Sequence, residues 1–595
     1  MSRRTAPMLT RPHALLPVPW PAFFVMLLAC VVPPLLAFNL SPSATLFNQL
    51  AALAGWGSVL ILLAGAAPRL RPSAALVAML MLALAPMVSH FWTGLPLSLA
   101  LSNTALLGGA TLLLMAGEGA SPGARLAWFE ILCWGLLLAG LLSVVVSVVQ
   151  VFVPQWADGT VIARSGVPGR AVGNMRQPNH LASLLMWSCV AAVYLVEAGT
   201  RRLPLGRVWV LGLPAVLAAL IFAVVLSGSR TGVIGVLILA IWGALDRRML
   251  RASRLALLAT PVMLGLCWGG VALWSASSGH ALGVESRLAE GAGSPARLAI
   301  LANSWALLKH NPLWGVGWGE FNLAWTFSEF AQRPVAFFDH CHNLPMQLAV
   351  ELGLPVSLTI LGLLSWSLWR AFCLSTQASD VGLAVMRRCA FMLVLMIGLH
   401  SLLEYPLWYA YFLLPTAFAF GLALGDDDEP QVTAVATPSS AGVALAPLLG
   451  LGGMVLALGV VFAVWDYHRV VVIYAPGANA APLAERISLG QRSVFFSTQA
   501  DYAAATSLES GPEALAAARR SGHQLIDARL MMAWAKSLHA VGDDDKARYV
   551  VDRLREFHNA SAAGFLGECE VPELTSLQLF QCQAGPQTLD WRALR

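Results

Sequence analysis

The sequence predicts an all-α polytopic membrane protein, with about 12–13 transmembrane helices, a large loop after the ninth and a helical, tetratricopeptide-like C-terminal domain. Three observations carry this. Apolar residues make up 57% of the chain and charged residues 12%, about half the roughly 25% charged share of a soluble domain. Apolar runs of the roughly 20 residues needed to cross a bilayer recur along most of the chain. Lysine and arginine fall in every second connection between those runs, as the positive-inside rule requires. The net charge of +5 over 595 residues offers no basic surface for nucleic acid.

An N-terminal segment, 1–17, carries Arg3, Arg4 and Arg11. The run at 18–39 has the flanking charge of a signal peptide. It is long enough to cross, and no small-residue cleavage site leads into a soluble domain, so it reads as a first anchor. Further spans are expected near 47–67, 73–92, 96–116, 126–153, 181–197, 207–226, 231–245 and 255–275, then near 344–370, 386–403, 406–425 and 443–465. Arg69 and Arg71, Arg125, Arg201 and Arg202, Arg247 to Arg254, and Arg370 to Arg388 share the side of the N-terminus, which is therefore cytoplasmic. The opposite, periplasmic side receives 153–180, the turn at 227–230, the large loop 276–343, the turn at 400–404 and the tail 466–595.

The tail has ordinary soluble composition. Helices are expected over Pro512–Arg520, Gln524–Val541 and Asp544–His558, with Gly542 as a breaker and Asp543–Asp545 as caps. Most of the nine cysteines, such as Cys30, Cys133, Cys189 and Cys267, lie in apolar runs and read as packing groups. Cys569 and Cys582 lie in the tail, where an oxidising compartment allows a disulfide between them.

Polar groups beside apolar spans are costly without a partner or a task, and five clusters on the periplasmic side stand out. Gly173 to His180 holds Arg176, Gln177, Asn179 and His180 around Pro178; these either cap a helix or face a ligand. Ser227-Gly228-Ser229-Arg230-Thr231-Gly232 places an arginine at a helix start, a good anion site, though its guanidinium is also able to snorkel. Arg287 and Arg297 lie in the large loop, the second opening an amphipathic stretch to Ala306; alone, each reads equally as a solvated group. Asp339-His340-Cys341-His342-Asn343 closes the loop with a histidine able to take a proton near neutral pH. Metal binding there lacks a convincing ligand set. Finally, His400 and Glu404 are four residues apart and share a helical face, and Pro406 turns Tyr405 out of the helix. An interfacial anchor is the competing reading for Tyr405.

At these residues the chain resembles the O-antigen ligase and polymerase superfamily, and within it the PglL-type bacterial protein O-oligosaccharyltransferases. The resemblance rests on Arg-Gln-Pro-Asn-His at 176–180, Ser-Gly-Ser-Arg-Thr-Gly at 227–232, Arg297 to Leu301 followed by Gly-x-Gly at 315–317, and His-Asn-Leu at 342–344. Glu-Tyr-Pro at 404–406 and the helical tail favour the protein-glycosylating branch. The resemblance implies a glycosyltransferase of the bacterial inner membrane that needs neither metal nor other cofactor. It would pass a glycan from undecaprenyl pyrophosphate to Ser or Thr of an exported protein such as a pilin. It makes His342 the catalytic base. It assigns the donor pyrophosphate to Arg230 and Arg297 and makes Gln177 and Tyr405 important polar positions. Arg287 and Arg176 are further candidates for the pyrophosphate, and Asn179, His180, Asn343 and Glu404 for substrate support. The rivals are a ligase that uses lipid A-core, a polymerase that extends a lipid-linked chain and, more distantly, a transporter. A transporter would place ionisable groups nearer the midplane and show internal repeats.

Overall fold

The computed structural model describes residues 19–66, 69–200, 206–278, 295–378, 380–426, 444–524, 526–571, 579–586 and 588–595. Arg287 lies outside them. The apolar runs fold as α1 (Trp20–Leu35), α2 (Leu46–Ala64), α3 (Ala74–Thr93), α4 (Leu97–Gly119), α5 (Pro122–Phe152), α6 (Pro178–Thr200), α7 (Gly206–Ser227), α8 (Arg230–Leu245), α9 (Arg251–Leu258) and α10 (Thr260–Ser278). The large loop contributes α11 (Pro295–His310) and α12 (Phe321–Phe327). Then come α13 (Leu344–Gln377), α14 (Val381–His400), α15 (Ala410–Leu424) and α16 (Ala446–Tyr474). Among the described residues, α2, α3, α4, α5, α6, α13, α14 and α16 are long and apolar enough to cross a membrane, and α9 with α10 makes one further span bent by 41°. α1, α8, α15 and the Leu211–Ser227 part of α7 are shorter apolar helices. Each expected apolar run overlaps one of these helices, but among the described residues eight, or nine with the bent pair, are long enough to cross, where the sequence predicts about 12–13.

The boundaries move where local chemistry decides them. α6 begins at Pro178, three residues before the expected span, because proline's missing N–H costs nothing in a first turn. α16 outruns its expected end at 465 although it passes Asp466. That buried carboxylate accepts from the Ser493 hydroxyl at 2.7 Å and from the Val494 and Phe495 amides at 2.9 and 3.0 Å, so the tail satisfies it and the helix continues.

α6 is the hub of the bundle. It packs on α5, α7, α8 and α14 and buries nearly every side chain from His180 to Glu197. Gly232 of α8 makes one of these approaches possible: a Cβ there would sit 3.0 Å from the Ala182 Cβ of α6 and 2.6 Å from Val224 of α7. At the C-terminal end of α15, buried Arg125 and Arg387 both donate to the Gly425 carbonyl, while Arg71 and Arg370 pair with Asp426 at 2.7 and 2.9 Å. Cations at a helix C-terminus are favourable, and these hold α15 against α5 and α14.

The tail forms α17 (Leu483–Gly490), α18 (Ser497–Ser507), α19 (Pro512–Ser521), α20 (Ala528–Ala540) and α21 (Asp544–Glu556). α18 packs on α19 and α20 on α21. α20 starts at Asp527, which caps the Leu530 amide at 2.8 Å, and not at Gln524 as the composition suggests. Gln524 instead accepts from Thr498. Loop and tail share one hydrophobic core, with Phe321, Trp325 and Phe327 of α12 set among Trp534 and Phe557 of the tail. Arg333 of the loop is buried in it. Its guanidinium lies 4.5 Å from the Phe557 ring and pairs with Glu556 at 2.9 Å. Cys569 and Cys582 are joined in a disulfide, their Cα atoms 5.3 Å apart.

This loop–tail body presses on α13 at a pair of glycines. Gly315 and Gly353 have φ of +70° and +75°. A Cβ on Gly315 would lie 2.4 Å from the Glu351 carbonyl oxygen, and one on Gly353 2.2 Å from that of Leu313. Only glycine fits both the backbone and the space. The contact breaks α13 at Gly353 and fixes its first turns, which carry the site.

Candidate active site

α13 starts where Asn343 caps it, its side-chain oxygen accepting from the Met346 amide at 3.0 Å. The same side chain donates to the Leu402 carbonyl at 3.0 Å, and the Leu344 amide donates to Ser401 at 2.8 Å. The head of α13 is thereby tied to the turn that ends α14. Asn343 is thus engaged in shaping the backbone. Gln347, one turn into α13, accepts from the Cys341 amide at 2.9 Å and donates to Glu351 at 2.9 Å. Between these anchors His342 is held at φ +56°, a left-handed conformation that costs a non-glycine residue of order 1–3 kcal/mol. The surroundings over-determine it, and the strain aims the imidazole.

The ring meets Glu404. Nδ1 of His342 lies 2.8 Å from Glu404 Oε2, with side-chain exposures of 15% and 3%. The other carboxylate oxygen accepts from Asn179 Nδ2 at 2.9 Å and from Arg297 Nη2. Asn179 is fixed in turn: its Oδ1 accepts from the Ser229 hydroxyl at 2.7 Å, and its amide donates to Gln177 Oε1 at 2.6 Å. His342, Asn179 and Arg297 thus converge on one carboxylate, with Ser229 and Gln177 one hydrogen bond further out. Burial on its own would push the Glu404 carboxyl up. The hydrogen bond from His342 and the charges of His342, Arg297 and His400 outweigh it and hold Glu404 below its ordinary value. An ionised carboxylate only accepts, so the Nδ1 that faces Glu404 is the donor in this pair, and Nε2 is the ring nitrogen left for chemistry when the imidazole is neutral.

Around the pair lies an aromatic wall. The Tyr405 ring sits 3.4 Å from that of His340 and 5.3 Å from that of His342. Burial, then Tyr409, Asp339 and Glu404, push the Tyr405 phenol upward, so it stays protonated and able to donate. His180 is buried beneath, its Nδ1 3.1 Å from the Tyr411 hydroxyl and its ring 4.5 Å from Tyr409. His180 therefore supports the wall.

Of the arginines, Arg297 reaches the site directly, with its side chain 40% exposed. Arg230 opens α8 next to Ser229, whose hydroxyl caps the Gly232 amide at 3.2 Å, so the helix's positive end lies beside Asn179. Arg176 turns away: at φ +56° its guanidinium donates to the carbonyls of Ala37 and Ala44 in the α1–α2 connection. With the Asn174 carbonyl also accepting at 3.4 Å, the guanidinium is engaged by the backbone in place of its expected position on the donor. Residues passed over in the sequence are Tyr409 and Ser183, whose hydroxyl lies 2.6 Å from His400 Nδ1. Ser183 follows His180 by three residues, so helical spacing alone was a usable signal.

Fold and site define a class: an all-α polytopic membrane protein with a histidine–carboxylate pair and arginines gathered at one end of its bundle. The family models and relatives that the sequence matches carry glycan ligase, polymerase and transferase names. Residues 171–196 match the protein glycosylation ligase model, 215–361 the O-antigen ligase model, and 389–565 the C-terminal model of virulence factor membrane-bound polymerases. The three matched segments hold, in order, Gln177 and Asn179, Arg230 and His342, and Glu404. The chain is similar to the general O-oligosaccharyltransferase of Acinetobacter baylyi, 27% identical over 385 residues, 62% of this chain and 62% of that protein. It is also similar to the ComP-specific O-oligosaccharyltransferase of the same organism, 25% identical over 261 residues, 43% of this chain and 44% of that one. The matches span less than two thirds of either relative. The resemblance read from the motifs is borne out.

Proposed function

We propose that this protein is a protein O-oligosaccharyltransferase of the bacterial inner membrane. It moves a glycan from undecaprenyl pyrophosphate to a Ser or Thr hydroxyl of an exported protein, such as a pilin, on the periplasmic face. The observation that carries the reading is the convergence on Glu404 of His342, Asn179 and Arg297, with Ser229, which precedes Arg230, bonded to Asn179.

In this mechanism the acceptor hydroxyl gives its proton to His342 Nε2 while its oxygen bonds to the anomeric carbon. The bond from that carbon to the pyrophosphate oxygen breaks, and undecaprenyl pyrophosphate leaves with the electron pair. Displacement in one step inverts the anomeric configuration. Glu404 holds the imidazole in its working tautomer and stabilises the imidazolium, the role of the third group in a nucleophile–base–orienter set. Arg297 and Arg230 hold the charge that grows on the leaving group. Arg297 reaches that position by exchanging Glu404 for phosphate oxygens, which its exposure permits.

A second reading, transfer to lipid A-core, draws on the O-antigen ligase match over 215–361. The test is co-expression with a lipid-linked glycan and a pilin, followed by mass analysis of the pilin and of the lipopolysaccharide. Glycan on pilin Ser or Thr is the expected result. Glycan on lipid A-core alone would overturn it.

A further inference from the structure

Two apolar clefts flank the turn that carries Glu404. The one below Arg230, between α6, α8 and α14, is narrow, with a volume of about 20 Å³. The other runs between α3, α4, α13, α14 and α15 and encloses about 490 Å³, within the range of roughly 300–1,000 Å³ typical of ligand pockets. It reaches the neighbourhood of the site: Leu344 and Leu402 line it, each two residues along the chain from His342 or Glu404. On α4 the lining extends from Asn103 to Leu114, about 16 Å at 1.5 Å per residue, more than half of a hydrocarbon core about 30 Å thick. Leucine dominates the wall. Of the polar side chains in the wall, Asn103, Ser401 and Thr416 donate to backbone carbonyls one turn back, and Ser365 adds a single hydroxyl.

The structure assigns this chamber to the isoprenoid chain of the lipid-linked donor, with the pyrophosphate at its rim under His342 and Arg297. The assignment rests on the proposed function and adds which face of the bundle the lipid occupies. Of the two clefts that flank this turn, the α3–α4–α13–α15 one has room for a chain and the α6–α8–α14 one does not. The wall asks for a long apolar ligand and matches no polar one.

Gly398 supplies the test. It lies on the chamber wall in α14, and a Cβ built there meets nothing within 4 Å, so Gly398→Phe enters the chamber without disturbing a neighbour. Gly362 of α13, equally unencumbered but off the chamber wall, provides Gly362→Phe as the matched control. The full-length protein is assayed with one glycan on undecaprenyl pyrophosphate and on a two-isoprene pyrophosphate. Gly398→Phe is expected to raise KM for the long-chain donor by about tenfold or more, or 1.4 kcal/mol, and to leave the short-chain donor within about twofold. Gly362→Phe is expected to change neither. Equal effects on both donors, or none, overturn the assignment. A second readout needs no catalysis. Photolabelling with a diazirine-bearing undecaprenyl phosphate, mapped by mass spectrometry, is expected to mark α13, α14 and α15 around Leu364 and Leu395, and to be blocked by Gly398→Phe. Label on Ile234 and Ile238 of α8 instead overturns the assignment. If wild type transfers neither donor yet is labelled in the chamber, the proposed function fails and the lipid site stands.

Discussion

Replacing Glu404 with Gln probes the site where its contacts are densest. The carboxylate accepts from His342, Asn179 and Arg297 at once, and each hydrogen bond to a charged group is worth about 1.5–3 kcal/mol. The amide keeps the shape but has a single acceptor oxygen. If that oxygen serves Asn179 and Arg297, the NH₂ faces His342 Nδ1, which must then accept. The imidazole proton moves to Nε2 and the base is lost. If the oxygen serves His342, the NH₂ abuts the Arg297 and Asn179 donors. Either way kcat is expected to fall by about 10²–10⁴, or roughly 3–5 kcal/mol of transition-state stabilisation. The donor KM moves less, since Arg297 is released rather than removed. The assay is in vitro transfer from a defined lipid-linked glycan with kcat and KM resolved, and Glu404→Asp recovering part of the rate. A Glu404→Gln enzyme within about twofold of wild-type kcat would refute the reasoning. The same pairing sets a pH window. Glu404 lies below its ordinary value of 4.5 in the folded state, so its contribution to stability is complete above that value and lost as pH falls through the depressed one. Wild type should lose thermal stability below about pH 4.5 more steeply than Glu404→Gln.

Three further outcomes follow from the same contacts. Arg297→Gln should raise the donor KM by about tenfold or more through loss of a phosphate contact; an unchanged KM would remove Arg297 from the donor site. Gln347→Leu leaves the buried Cys341 amide without its acceptor, a cost of about 1–3 kcal/mol in thermal stability. Because it loosens His342, kcat should fall while KM holds; a matched loss in both would point to general misfolding. Removing the disulfide by Cys569→Ser with Cys582→Ser opens a loop of sequence separation 13, which should cost the tail about 3 kcal/mol. Limited proteolysis of the tail would register this, and unchanged resistance would contradict it.

The spans were legible because bilayer length and hydropathy act locally; helix ends shift by three residues at Pro178 and by nine where the tail satisfies Asp466. The site was legible residue by residue for a related reason: a His342 or Arg230 beside an apolar run is conspicuous. Its connections were not. His342 and Glu404 are 62 positions apart, and Asn179 and Glu404 are 225 apart, so no periodicity couples them. Arg176 shows the converse, since its side chain follows a left-handed backbone toward the Ala37 carbonyl, which composition does not reveal. The common core of loop and tail was hidden likewise, because Trp325 and Phe557 meet only through tertiary packing.

The most direct test compares wild type with His342→Ala in transfer from undecaprenyl-pyrophosphate-linked glycan to a purified pilin, scored by mass analysis of its Ser and Thr residues. The account predicts a modified hydroxyl with wild type and a rate at least about a hundredfold lower with the variant. Transfer at the wild-type rate without the imidazole would contradict it.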